Sequence, residues 1–143
     1  MKPYRLADTA PWGVAALRIT LGVVMFMHGF QKLFTYGLGG VAGSMEQFGL
    51  PLPMVSAVLI TLTEFAGGAL LMLGLLTRLA AVPVAFSMLV ATLTVHLPHG
   101  FFLPGVEFTL TLAAAAAALA LAGPGALAID NRIFGRAAAG GKE

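Results

Sequence analysis

The sequence predicts an all-α membrane protein, a bundle of four transmembrane helices with both termini cytoplasmic. Three observations predict it. First, the 143-residue chain is 59% hydrophobic and 10% charged, against about 45–50% apolar in soluble domains. Second, the excess sits in four runs, about 11–34, 53–76, 79–97 and 105–122. Each is near the ~20 residues that carry a helix across ~30 Å of hydrocarbon. The runs are apolar almost all round, whereas a soluble bundle keeps a polar face at the helical period. Third, Lys2, Arg5, Arg78, Arg132, Arg136 and Lys142 fall at the N-terminus, between the second and third runs, or at the C-terminus. The other two connections, about 35–52 and 98–104, contain no Lys or Arg. With four spans, the positive-inside rule then puts both termini in the cytoplasm.

Along the chain, residues 1–10 form a cytoplasmic N-terminus, and 11–131 form the membrane domain. The first span opens at Pro11, a residue suited to a first helical turn, with Trp12 as an interfacial anchor. Lys2 and Arg5 would also suit a signal peptide. The run continues into His28-Gly29-Phe30-Gln31-Lys32 without a small-x-small cleavage site, so it is read as a retained span. The connection "TYGLGGVAGSMEQFGLPLP" reads as an outer loop. Within it, Val41 to Phe48 forms a short interfacial helix with Met45 and Phe48 dipped into lipid. A tight turn at "GLLTR" joins the second and third spans, with Thr77 as the N-cap of the third and Pro83 a kink site. The fourth span carries "TLAAAAAALALA", whose small side chains let helices approach closely. Ile129, Ile133 and Phe134 anchor the end of the chain to the interface, and 132–143 is a cytoplasmic tail.

Ionisable groups inside spans face the bundle interior and find partners. At 1.5 Å per residue, Arg18 lies roughly 10 Å from the inner end and Glu64 about 15 Å from the same end. This depth match predicts a buried Arg18–Glu64 ion pair. At the outer side, Lys32 ends the first span, Glu107 opens the fourth, and His96 ends the third with His99 just beyond. Lys32 is therefore expected to pair with Glu107. At 100° per residue, Arg18, Gly22, Met25, Gly29 and Lys32 share a stripe about 80° wide, with His28 at its edge and Gln31 pointing away.

Several function classes are excluded or unsupported. The basic residues are scattered, without a patch or aromatic interleaving, so no nucleic-acid partner is expected. The absence of cysteine removes any disulfide framework or dithiol relay within the chain. "GLGGVAG" lacks the Lys-Ser/Thr of a phosphate-binding loop. His96 and His99 at i and i+3, or His28 with His96, suggest metal or haem ligation. Neither has the spacing of a strong motif, and no metal site is assigned.

The segments "LRITLGVVMFMHGFQKLF", "GLGGVAGSMEQFGLP", "LTEFAGGALLMLGLLTRLAA", "LTVHLPHGFF" and "GVEFTLTLAAAAAALALAGPGALAID" resemble, in order and over roughly residues 11–131, the DoxX family of small bacterial membrane proteins. The resemblance implies a multi-pass protein of the bacterial inner membrane, in a family linked to quinone and thiol detoxification and to membrane oxidoreductase complexes. The polar residues matching the family are Arg18, His28, Gly29, Lys32, Glu64, Arg78, His96 and Glu107. It supplies no mechanism for them.

Residues and resemblance together suggest a membrane oxidoreductase component handling a quinone-like or thiol-linked substrate between the helices of the outer leaflet. His28 and Lys32 bind the ligand, while Glu107 and His96 relay protons as the catalytic pair. Arg18 and Glu64 give register and electrostatic support. The cofactor is unknown, with a quinone the candidate. Electrons would come from a redox partner subunit, a bound cofactor or a thiol. The partners expected are the lipid bilayer and either such a subunit or a second copy of the chain. A non-catalytic accessory subunit and a small-molecule or proton pathway are the alternatives.

Overall fold

The computed structural model describes residues 9–102 and 105–134. Lys2, Arg5, Arg136 and Lys142 lie outside the described residues, as does most of the expected N-terminus and tail. Among the described residues all regular structure is helical. Helix α1 (Ala10–Phe30) passes through a π-helical turn (Gln31–Tyr36) into α2 (Gly37–Gln47). Next come α3 (Pro53–Leu73) and α4 (Thr77–Ala91). A second π-helical turn (Thr92–His96) and a 3-10 turn (Leu97–His99) lie beyond α4. The last two helices are α5 (Val106–Ala122) and the short α6 (Ile129–Ile133).

Among the described residues three stretches are long and apolar enough to cross a membrane: Ala10–Gln47, Pro53–Leu73 and Thr77–His99. Helix α5 is equally apolar but has 17 residues, a length of about 26 Å. Large apolar side chains are exposed on every long helix, among them Val23, Leu62, Phe86 and Leu121. A chain that is apolar inside and outside is built for a lipid surround.

Helix α1 packs chiefly on α3, and α4 on α5. The α1–α3 seam depends on glycine. A Cβ on Gly22 would lie 2.8 Å from Met72 Cγ and 2.9 Å from the Gly68 carbonyl oxygen, and one on Gly29 would collide with the Phe65 backbone. Close backbone approach of this kind supports helix association in lipid, where burial of apolar surface gives little. Leu21, Met25, Leu71, Val84, Met88, Leu112 and Leu119 form the main core. A second, smaller cluster joins Val41, Ala42 and Met45 of α2 to Ala57 of α3.

Two expectations are corrected by the fold. The short helix expected at Val41 to Phe48 is present but longer, Gly37–Gln47: glycine is a poor helix former, but Val41, Ala42 and Met45 recur at helical spacing and bury against α3. Met45 accordingly faces inward and not into lipid. Thr77 is also not the cap of α4. The Asp130 carboxylate takes that place, accepting hydrogen bonds from the Leu76 N–H at 2.7 Å and the Thr77 N–H at 2.9 Å. It satisfies two main-chain donors that a helix start leaves open.

Candidate functional site

The two ends of the helix cluster differ. The terminal end holds the start of α1, the α3–α4 turn and the segment 123–134. The far end holds both π-helical turns and α2.

At the terminal end Arg18 is completely buried. Its Nε donates to the Pro124 carbonyl at 2.8 Å. Nη1 donates to Leu71 at 2.6 Å and Met72 at 3.0 Å, and Nη2 to Ala126 at 3.1 Å and Leu127 at 3.2 Å. A guanidinium has five N–H donors, and every one is used. The carbonyls at the end of α3 carry the negative end of the helix dipole, and Leu71 shares its oxygen with the Gly74 N–H at 3.1 Å. They and the 123–127 turn give Arg18 a complete oxygen shell. Segment 123–134 is held in turn by Ala126 N–H on the Pro11 carbonyl at 2.8 Å and Asp130 N–H on that of Gly74 at 2.9 Å. Arg78 also reaches α5, donating to the Ala120 carbonyl at 3.2 Å.

The expected Arg18–Glu64 pair is therefore not formed. The glycine contacts set the α1–α3 register: Gly29 lies against Phe65 and Gly22 against Met72. Arg18 is one turn beyond Gly22, level with Gly74, whose hypothetical Cβ would sit 2.7 Å from Arg18 Nη1. Gly74 is ten residues from Glu64, about 15 Å along the helix.

Glu64 instead accepts a hydrogen bond from Lys32 Nζ through Oε2. Lys32 stands in the first π-helical turn, just beyond α1, and its flexible stem carries the ammonium to Glu64 on α3. The expected Lys32–Glu107 pair is likewise replaced. The Glu64 side chain is 4% exposed and that of Lys32 21%. Burial of a carboxylate is tolerated when an opposite charge and a hydrogen bond accompany it.

The pair sits in the wall of a cavity of about 240 Å³. Met25, His28 and Lys32 line it from the α1 side. Met45, Phe48 and Leu50 close it from α2, with Ile60 and Glu64 from α3. Ser87, Met88, Val90 and Ala91 of α4 and Thr94, Val95 and His96 of the second π-helical turn form the facing wall. Phe108, Thr109 and Leu112 of α5 complete it. Most of the wall is apolar. The Ser87 and Thr94 hydroxyls donate to main-chain carbonyls of their own helix, Val84 at 2.9 Å and Val90 at 2.8 Å. A further clamp, Thr92 Oγ1 to Thr109 Oγ1 at 2.9 Å, ties the second π-helical turn to α5.

Of the residues singled out from sequence, His28, Lys32 and His96 meet in this cavity, and Glu64 joins them. Glu107 does not line it; its neighbours Phe108 and Thr109 do, and Glu107 stays in the first turn of α5. His99 is exposed outside, its Nδ1 3.0 Å from the Val95 carbonyl oxygen. Among the described residues no three metal-ligating side chains cluster. Sequence reasoning missed Phe108, Met88 and Thr94, which carry no motif. It also missed both π-helical turns, which rotate Lys32 and His96 off a simple helical wheel. Such turns are frequent at functional sites.

The DoxX family model matches residues 13–97. The chain is 35% identical to "Uncharacterized membrane protein Rv3486" of Mycobacterium tuberculosis, covering 97% of this chain and 92% of that one. It is 34% identical to "Putative oxidoreductase CatD" of Bacillus subtilis, over 85% and 87% of the two chains. It is also 34% identical to "Inner membrane protein YqjF" of Escherichia coli, over 85% and 92%. No solved structure matches the chain.

Proposed function

The chain belongs to the DoxX family of membrane proteins, and from that premise and the cavity geometry we propose that it is a component of a membrane oxidoreductase system, taking the ring of a quinone-like compound between its helices. The carrying observation is the Lys32–Glu64 pair, set with His28 and His96 in the wall of a mostly apolar cavity. An apolar pocket with a few convergent polar groups is the usual form of a small-molecule site. A cavity of about 150 Å³ holds benzene, so one of about 240 Å³ has room for a substituted ring. The protein sits in the bacterial inner membrane with its terminal end in the cytoplasm and α5 as a fourth span. Arg78 and Arg132 at that end fit the positive-inside rule.

Each residue then has a role. The Lys32 ammonium donates to a ring carbonyl and stabilises the negative charge that builds there on reduction. Glu64 holds the ammonium in place. His28 binds the ring from the α1 side. Reduction of a quinone to its quinol takes two electrons and two protons. His96 passes protons into the cavity, with Glu107 as its relay partner from outside the wall. The chain has no cysteine, so the electrons come from a redox partner subunit, a cofactor or a soluble thiol. Two thiols closing to a disulfide release two electrons and two protons, which balances the step. The name of the Bacillus subtilis relative supports an oxidoreductase role.

The test is a titration of the purified protein in nanodiscs with a ubiquinone analogue. Saturable binding is expected, weakened about tenfold or more in Lys32→Met, since a hydrogen bond to a charged group contributes about 1.5–3 kcal/mol. Absence of saturable binding, or equal affinity in wild type, Lys32→Met and Glu64→Gln, contradicts the reading. Buried Glu64 also fits a proton pathway. That second reading requires proton flux in proteoliposomes that Glu64→Gln removes.

A further inference from the structure

The cavity has a flank that is closed only by side chains. His28 lines the cavity and also lines an open groove of about 460 Å³ on the outer face of α1, together with Met27, Phe30, Gln31 and Thr35. Across from His28 stands Phe108 of α5, with ring centroids 6.1 Å apart and planes at 47°. Both residues line the cavity, and both are exposed on the outside. At the terminal end the start of α1 is held against the turn that follows α5, where a Cβ on Gly125 would lie 2.7 Å from the Pro11 carbonyl oxygen and 2.9 Å from Ala15 N. At the far end the His28–Phe108 ring contact stands between α1 and α5.

We propose that the occupant of the cavity is an amphiphile drawn from the lipid phase, with its ring inside and its apolar chain passing between His28 and Phe108 into the groove along Met27 and Phe30. This rests on the reading that a ring occupies the cavity. Volume is the second support. The cavity, about 240 Å³, lies below the ~300 Å³ at which pockets for drug-sized ligands begin. A ring fits, and a long chain has to leave. The groove reached through His28 presents exposed Met27 and Phe30, continuous with the apolar outer surface. The chain moves from lipid to a lipid-like surface, so it gains packing and direction but little hydrophobic free energy. The substrate class is thus a long-chain membrane quinone and not a small water-soluble ring compound.

The experiment uses two photoreactive ubiquinone analogues in nanodiscs containing the full chain. One carries a diazirine on the ring and the other on the chain next to the ring, and labelled residues are read by mass spectrometry. Ring label is expected on Met25 and Met88, chain label on Met27 and Phe30, and excess unlabelled ubiquinone should remove both. Competed ring label in the cavity with chain label on Phe48 and Leu50 would place the exit beside α2 and overturn the inference. Chain label spread over exposed apolar residues, as a diazirine lipid would give, also overturns it. In both cases the ring reading survives. Ring label that excess ubiquinone does not remove would defeat the ring reading, and this inference with it.

Discussion

At the terminal end Arg18 directs all five N–H groups to main-chain carbonyls of α3 and the 123–127 turn. At the far end Lys32 and Glu64 meet on the wall of a cavity, with two imidazoles nearby. Both ends bury charge. At one end the hydrogen-bonding capacity of the charge is saturated by backbone, the surroundings are packed, and nothing remains to offer a ligand. At the other, an ammonium with three donors faces a space that a small molecule can fill. Intramembrane charge on its own therefore does not mark the functional site; what distinguishes the two ends is unspent polar capacity beside a void.

The largest effect that sharpens this contrast is expected from Arg18→Leu. Five carbonyls lose the guanidinium as a donor, and segment 123–134 loses its Arg18 bonds to Pro124, Ala126 and Leu127. Each buried polar group left unsatisfied costs about 1–3 kcal/mol, and several are affected at once, so thermal unfolding in detergent should show a large drop in midpoint. A loss as small as that of a surface substitution would break the claim that Arg18 is the closing element.

Next comes Gly68→Val. A Cβ there would collide with the Phe26 backbone and lie 2.8 Å from the Gly22 carbonyl oxygen. Overpacking costs about 1–3 kcal/mol, and the shifted α1 should weaken quinone binding as well as stability. Glu64→Gln should cost less stability, about 1–2 kcal/mol, because the partly exposed Lys32 can turn to water, yet it should remove most of the binding. The smallest effect is Asp130→Ala, which removes the α4 cap at about 0.5–2 kcal/mol and leaves quinone affinity unchanged. Titrating these variants side by side tests whether stability and binding separate by end.

Much of this was legible in the sequence. The apolar runs gave the long helices, and the stripe of Gly22, Met25 and Gly29 gave the buried face of α1. His28, Lys32 and His96 were expected near one another at the far end, where they line one cavity. Arg18's partners were not legible because main-chain carbonyls exist at every position and leave no signature. Its pairing with Glu64 came from depth counted from assumed helix ends. The close glycine contacts set a register that moves the two apart. Segment 123–134 read as an anchored tail; its bonds to Arg18, the Asp130 cap and the Ala126 backbone show that it folds back onto the bundle.

The most direct measurement is a pair of double-mutant cycles on thermal stability, Lys32→Met with Glu64→Leu and Arg18→Leu with Glu64→Leu. Removing both partners of a true pair recovers part of what either single change loses. The Lys32–Glu64 cycle should show a coupling of about 1–3 kcal/mol, while the Arg18–Glu64 cycle should be additive within about 0.5 kcal/mol. Coupling between Arg18 and Glu64 with none between Lys32 and Glu64 would contradict the division of the molecule into a closed end and an open site.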